Sequence, residues 1–397
     1  MRRPSFWIAL ALAGALAACS SDDGGGGGDA DAGDTGFTAD AGPTDDAAAV
    51  PVEVPSAPRA FTMALGAPTT GPSNVLDAAW DRATANADVA LVWIDGGLPW
   101  PEILAGDPLP PDFAAHLDAL EARATGGDAT VMVVVDVLAP DRGGLVADYD
   151  GRGTVPSLTD PDVVDAYAAF CGALAERFDP TWFVPVVDLN VWTANRPESV
   201  EAMRQFYIEA RREVQTVAGR ARVFPLWNYQ VLLDVTDAQD PEGLGVLSRF
   251  DELLDLFAID FAPADQLRGV GQLPDAEFDF LEGLSTRPLA VVASYPANGF
   301  VRDGDVFASS ENSQFNFLAW LFDRGDGMSM DLVAWRMSVD PDPILAAPCE
   351  GVDPPCDPDR LTDRYETLRS TGLVTPDGDT RRSWDLWLDF LDRPIGG

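Results

Sequence analysis

The stretch VPVVDLN, residues 184–190, carries Val184, Pro185, Val186 and Val187 directly into Asp188, with Asn190 two residues on. A buried strand that surfaces in a carboxylate is the pattern found at the mouth of a parallel α/β barrel, where function collects at the C-terminal ends of the strands. A strand that simply ends in solvent reads the same way locally. The choice between them rests on whether the pattern repeats along the chain.

It repeats. Short apolar runs that read as strands occur at Phe61–Leu65, Val89–Ile94, Thr130–Val135, Phe183–Val187, Val223–Trp227, Leu256–Ile259, Leu289–Ala293 and Leu332–Trp335. Amphipathic stretches with helical spacing lie between them, near 74–86, 111–124, 161–178, 198–217, 241–254, 275–285 and 309–323, and a last one near 359–370 or 381–392. Strands separated by crossover helices run parallel, and eight such units predict a (β/α)₈ TIM barrel in the α/β class. The rival is a doubly wound open sheet. It expects a glycine-rich turn after the first strand, whereas Leu65-Gly66-Ala67-Pro68 leads into Pro72 and Asn74.

The chain ahead of this region reads differently. Arg2 and Arg3 precede an apolar run from Phe6 to Ala18, too short to span a bilayer permanently and typical of an export signal over residues 1–18. Its end, Leu16-Ala17-Ala18-Cys19, resembles the lipobox of bacterial lipoproteins, which implies lipidation of Cys19 and a membrane-anchored, cell-envelope location. Ser20 and Ser21 after the cysteine point by the same resemblance to the outer membrane, with the domain facing the periplasm or the surface. Residues 19–58, with the Gly24–Gly28 run followed by Asp, Ala, Thr and Pro, lack the apolar content for a core and read as a solvated tether. The folded domain is expected over 59–397.

Composition narrows the chemistry. The formal net charge is −39, a surface that repels nucleic acid and anionic lipid and leaves the lipid anchor as the expected membrane contact. The sequence contains no lysine, which excludes lysine Schiff-base and lysine-nucleophile mechanisms. Its one histidine, His116, sits at the boundary of a helical apolar face formed by Phe113, Leu117 and Leu120. A multi-histidine zinc site is thereby excluded, and a Ser-His-Asp triad would have to use that residue. What remains is carboxylate chemistry. Cys349 and Cys356, seven apart in a Pro-rich loop of an exported chain, suit a disulfide. Cys171 falls inside a helical pattern and reads as a packed thiol. No cofactor is required by any motif. Asp303-Gly304-Asp305, Asp323 with Asp326, and Asp340-Pro341-Asp342 offer oxygen ligands suited to calcium, without the spacing of an EF-hand loop.

Taken in chain order, the strand ends supply Trp93 and Asp95, Asp136, Asp188 and Asn190, Trp227 and Asn228, Asp260, Ser294 and Tyr295, and Trp335 with Arg336. Carboxylates, amides and tryptophans around one rim are the ingredients of a saccharide site, where indole faces stack on sugar rings and side-chain oxygens bind hydroxyls. The expected partner is an oligo- or polysaccharide, and the expected state a monomer. Any one of these acids could equally be the N-cap of the following helix.

Several segments resemble the clan of retaining glycoside hydrolases with (β/α)₈ barrels, especially its endo-galactanase and cellulase-like branches. They are Trp182–Asn190 as the fourth strand, Glu198–Ala218 as the long helix after it, Leu254–Pro263 as the sixth strand, Pro288–Tyr295 as the seventh and Leu332–Trp335 as the eighth. The likeness runs over about residues 60–345. It implies an acid/base glutamate at the end of strand four, a nucleophilic glutamate at the end of strand seven, and a strand-six tyrosine bonded to the nucleophile. Asp188, Ser294 and Phe261 stand at those places, so the resemblance implies the frame with its catalytic positions altered. A retaining site needs two carboxyl groups about 5–5.5 Å apart. The alternatives are an inverting pair, separated by about 6.5–9.5 Å, built from Asp188 with Asp136, Asp95 or Asp260, or a catalytically inactive saccharide-binding or structural envelope protein.

Overall fold

The computed structural model describes residues 49, 51–69, 73–139, 142–149, 155–274, 276–302, 305–341 and 368–396. The segment expected to be an export signal, Cys19 and most of the segment expected to be a tether lie outside these residues, as do Cys349 and Cys356. Within the segment expected to be solvated, Val52 and Val54 instead rest half-buried against the core.

Among the described residues nine parallel strands form one curled sheet. β1 (Thr62–Gly66), β2 (Val89–Ile94), β3 (Thr130–Val135), β4 (Trp182–Val184) and β5 (Arg222–Val223) follow one another outward on one side of β1. On its other side lie β11 (Leu332–Trp335), β8 (Leu289–Ala293), β7 (Phe257–Phe261) and β6 (Leu226–Asn228). β9 (Phe300–Arg302) and β10 (Asp305–Phe307) form a separate antiparallel pair. The two end strands of the sheet, β5 and β6, are consecutive in sequence, parted by Phe224 and Pro225. Pro225 has no N–H to give to a ladder, so a strand expected to run unbroken over Val223–Trp227 is divided there. β5 pairs with β4, β6 with β7, and the Leu226 N–H still donates to the Val186 carbonyl at 3.0 Å. Pro185 shortens β4 in the same way.

Helices cover the convex face: α1 (Ser73–Ala85), α2 (Trp100–Ala105), α3 (Pro111–Ala124), α4 (Pro161–Phe178), α5 (Leu189–Asn195), α6 (Val200–Val217), α7 (Tyr229–Asp237), α8 (Pro241–Phe250), α9 (Glu311–Gly327) and α10 (Arg382–Leu391). α2, α5 and α7 are too short for a periodic signal. The helix expected near 275–285 is a 3₁₀ turn at Asp279–Gly283. Of the two alternatives for the last helix, 381–392 corresponds to α10, and 359–367 lies outside the described residues.

Side-chain alternation divides the interior into two layers. Ala64, Leu91, Trp93, Met132, Val134, Ala258, Ala290, Val292 and Ala334 fill the concave side of the sheet. Met63, Leu65, Val92, Val133, Ile259 and Val291 meet the helices. Each fully buried aliphatic side chain contributes about 1.5–3 kcal/mol over its exposed state. The two ends of the described fold, Arg59 and the 394–396 segment, meet at the N-terminal end of the strands. The Arg59 N–H donates to the Pro394 carbonyl at 2.9 Å, and the Arg59 guanidinium grips Asp88 through both terminal nitrogens at 2.6 and 2.7 Å. Phe322 of α9 packs on Trp387 and Phe390 of α10, with centroids 5.8 and 4.4 Å away.

Candidate functional site

Alternation also decides which strand-end residues face the mouth. Continuing the inner-face positions one step beyond each strand gives Asp95 after Trp93, Asp136 after Val134, Ser294 after Val292 and Arg336 after Ala334. Asn228 and Asp260 take the same parity at the ends of β6 and β7. Asp136 is buried, Asp260 half-buried and Asp95 exposed.

Asp188 is not the end of a strand. It precedes α5 in a left-handed conformation, φ 55° and ψ 40°, which Asp tolerates better than most residues. Its carboxylate is held by Arg142, a residue that strand-end reading missed because it lies in the loop after β3. Arg142 Nε and Nη2 donate to Asp188 Oδ2 at 2.9 and 2.7 Å. The other edge of the same guanidinium serves Asp136, with Nη1 donating to Oδ1 at 2.7 Å and Nη2 to Oδ2 at 3.3 Å. Asn228 Nδ2 donates to the second Asp188 oxygen at 3.2 Å. All three residues are buried. Arg142 also has positive φ, 52°, so two left-handed residues face each other through one ion pair. Backbone of this kind costs on the order of 1–3 kcal/mol per residue, and the charge-assisted bonds offset it.

Asn190 and Asn228 tie the next two elements together. Asn190 Nδ2 donates to the Asn228 carbonyl and its Oδ1 accepts from the Asn228 N–H, both at 2.8 Å. Asn228 Oδ1 accepts from the Val231 N–H at 3.2 Å, capping α7. Asp136, Asp188, Asn190 and Asn228 therefore form one connected polar cluster around Arg142.

The expected aromatic lining divides by side of the sheet. Trp93 lies on the concave face, 4 % exposed, and the Arg336 guanidinium carbon stands 4.1 Å from its ring centroid. Trp227, Tyr295 and Trp335 instead point outward and are fully buried. Trp227 meets Phe250 edge-on at 5.8 Å, Tyr295 stacks on Phe317 at 4.7 Å, and the Trp335 indole N–H donates to the Thr371 carbonyl at 2.8 Å. These three pack the helical layer and offer no ring face to a sugar. Phe261 also faces outward, between Tyr229 and Phe278 with centroids 4.7 and 4.8 Å away.

His116 sits half-buried on α3, where burial and then the Arg123 charge hold its pKa below the ordinary value. Burial pushes the Cys171 thiol up to about 12. Of the acids read as possible calcium ligands, Asp340 is gripped by Arg381 at 2.6 and 2.9 Å. Asp326 accepts from the Ala60 N–H at 2.9 Å and pairs with Arg393 at 2.7 Å, and Asp323 pairs with Arg324 at 2.7 Å. Asp303 and Asp342 lie outside the described residues. Among the described residues no group of three or more His, Cys, Asp or Glu side chains is placed to hold a metal ion.

No family model and no curated protein matches the chain. Solved structures do match. A GH5_18 protein from Streptomyces cattleya, in complex with GlcNAc, superposes with a TM-score of 0.57 at 15% identity over 85% of this chain and 80% of its own. An exo-β-1,4-mannosidase from Opitutaceae bacterium strain TAV5 gives 0.58 at 10% identity over 83% of this chain and 59% of its own. The chain has a glycoside-hydrolase-like, TIM-barrel-like fold. At such identities the likeness speaks for the fold, and function must be argued from the site.

Proposed function

We propose that the chain is a saccharide-binding lipoprotein of the bacterial cell envelope, built on a glycosidase-like barrel whose mouth holds sugar without the retaining chemistry of that frame. The carrying observation is the position of Arg142 between Asp136 and Asp188. At the place where an acid/base would have to release and regain a proton, Asp188 accepts from three N–H groups on its two oxygens. Both oxygens are thus engaged by the protein's own donors, and proton transfer requires a group within reach of the substrate. Ser294 supplies no second carboxylate at the end of β8, and without one a covalent glycosyl intermediate has no nucleophile of the usual kind. The rest of the rim, with Asp95 and Asp260, is chemistry suited to sugar hydroxyls.

In the same reading, β5 and β6 are two halves of a fifth strand that closes the sheet into eight-stranded form, as their sequence continuity and their pairing to β4 and β7 favour. Cys19 carries the lipid, the segment after it is the tether, and the domain acts as a monomer at the outer membrane.

The test is binding of the full-length chain to an array of plant, fungal and bacterial polysaccharides, with reducing ends assayed in parallel. We expect retention on at least one polysaccharide and no reducing ends above background. Release of reducing ends that Asp188→Asn abolishes would make the protein a hydrolase. Failure to bind any member of the array, with the fold intact by circular dichroism, would remove the saccharide reading.

A further inference from the structure

Among the described residues the other buried arginines each meet a carboxylate: Arg59 with Asp88, Arg142 with Asp136 and Asp188, Arg381 with Asp340 and Arg393 with Asp326. Arg336 does not. Its residue is 8 % exposed, and among the described residues its side chain makes no hydrogen bond and no ion pair; its one charged-group contact is the face of Trp93 at 4.1 Å. Nε is buried without an acceptor, and so is the indole Nε1 of Trp93 beside it. Two adjacent buried N–H groups without acceptors are uncommon, because each carries the full cost of losing water. A buried charge left alone costs more still.

The backbone fixes this arrangement. The Arg336 N–H donates to the Ala293 carbonyl at 3.0 Å, and the β8–β11 register of Ala334 with Val292 and Trp335 with Ala293 sets Arg336 beside Ser294. Its carbonyl lies where any side chain at Gly66 would collide with it. Glycine at the end of β1 therefore lets β11 approach, so that the guanidinium crosses above β1 to Trp93 on β2. With the indole face already covered by the guanidinium, a neutral sugar cannot stack there.

We propose that Arg336 and Trp93 form a carboxylate-recognition subsite, and that the saccharide this mouth takes carries a uronic acid residue. A planar fork of N–H donors matches a carboxylate in two parallel bonds, and the neighbouring position is the neutral Ser294 and not an acid. The ligand's carboxylate supplies the missing countercharge. The net charge of −39 sets the form of the ligand: repulsion beyond the Debye length of about 8 Å is screened in physiological salt, so a mostly neutral chain bearing isolated uronates is favoured over a polyuronate. This inference rests on the saccharide reading above and deepens it.

The experiment measures binding of the full-length chain to oligosaccharides bearing a single glucuronate or galacturonate, each beside its methyl ester and a sulfated analogue. At least one free acid is expected to bind, with its methyl ester weaker by about 30-fold or more, the loss typical of an unpaired buried charge. Arg336→Gln should weaken the acid far more than the ester, and Arg336→Lys should recover only part of the difference. Acid and ester binding equally, or neutral saccharides alone binding, would overturn the carboxylate subsite and leave the saccharide reading standing. Preference for the sulfated analogue with the same dependence on Arg336 would overturn the choice of carboxylate. No binding by any sugar would overturn both.

Discussion

Arg142 carries more of the site than any acid around it. Replacing it with Met leaves Asp136 and Asp188 buried and facing each other with no cation between them, and breaking a buried pair in this way costs about 3–5 kcal/mol. Urea denaturation of Arg142→Met against the parent at neutral pH should show that loss; a change under about 1 kcal/mol would mean that water reaches both carboxylates. His116 gives a pH signature of opposite character. Its pKa is held down in the fold, so the folded state prefers the neutral ring, and stability falls as pH drops through 6.5 towards the folded value. His116→Gln should flatten the stability profile between about pH 5 and 7. An unchanged slope would assign that dependence to the carboxylates.

At the scale of elements, α4 offers a clean check of packing. Cys171 is fully buried on its inner face, close to Tyr167, with a thiol pushed up to about 12. Thiolate is the reactive form, so alkylation at pH 8 should leave Cys171 unmodified in the folded chain and label it within minutes in denaturant. Labelling at equal rates would mean that α4 opens readily. Each expected strand has its counterpart, the fifth in two pieces, and the central ones are buried on both faces as their continuous apolar runs imply; the long helices follow from their apolar faces. Two strands are shorter than their apolar runs for one reason: Pro185 and Pro225 occupy those runs without donating to the ladder, and apolarity alone does not register that. The site is legible in the sequence only in part. Asp136, Asp188, Asn190 and Asn228 stand out because they follow strands, and they do converge. Trp227 and Trp335 lie within β6 and β11, where parity turns them outward, and that single-residue step is readable from Leu226 and Ala334. Arg142 has no such signal, since a loop residue's partners depend on how the loop returns.

For the molecule as a whole, charge outweighs every other influence outside the core. With 65 acidic and 26 basic residues, most of the acids repel one another across a surface that folding compacts. Raising salt from about 10 mM to about 1 M shortens the Debye length from about 30 to about 3 Å, and the melting temperature should rise over that range. A fall would indicate that ion pairs such as Arg59 with Asp88 and Arg381 with Asp340 outweigh the repulsion.

The clasp between Arg59 and the 394–396 segment has a geometric corollary. Both ends of the described fold sit at one pole, beneath the first residues of the strands, while Asp136, Asp188 and Arg336 open at the other. Anything joined to the fold at Arg59 or at the 394–396 segment is therefore attached at the pole away from the rim, and its point of attachment leaves the rim unobstructed.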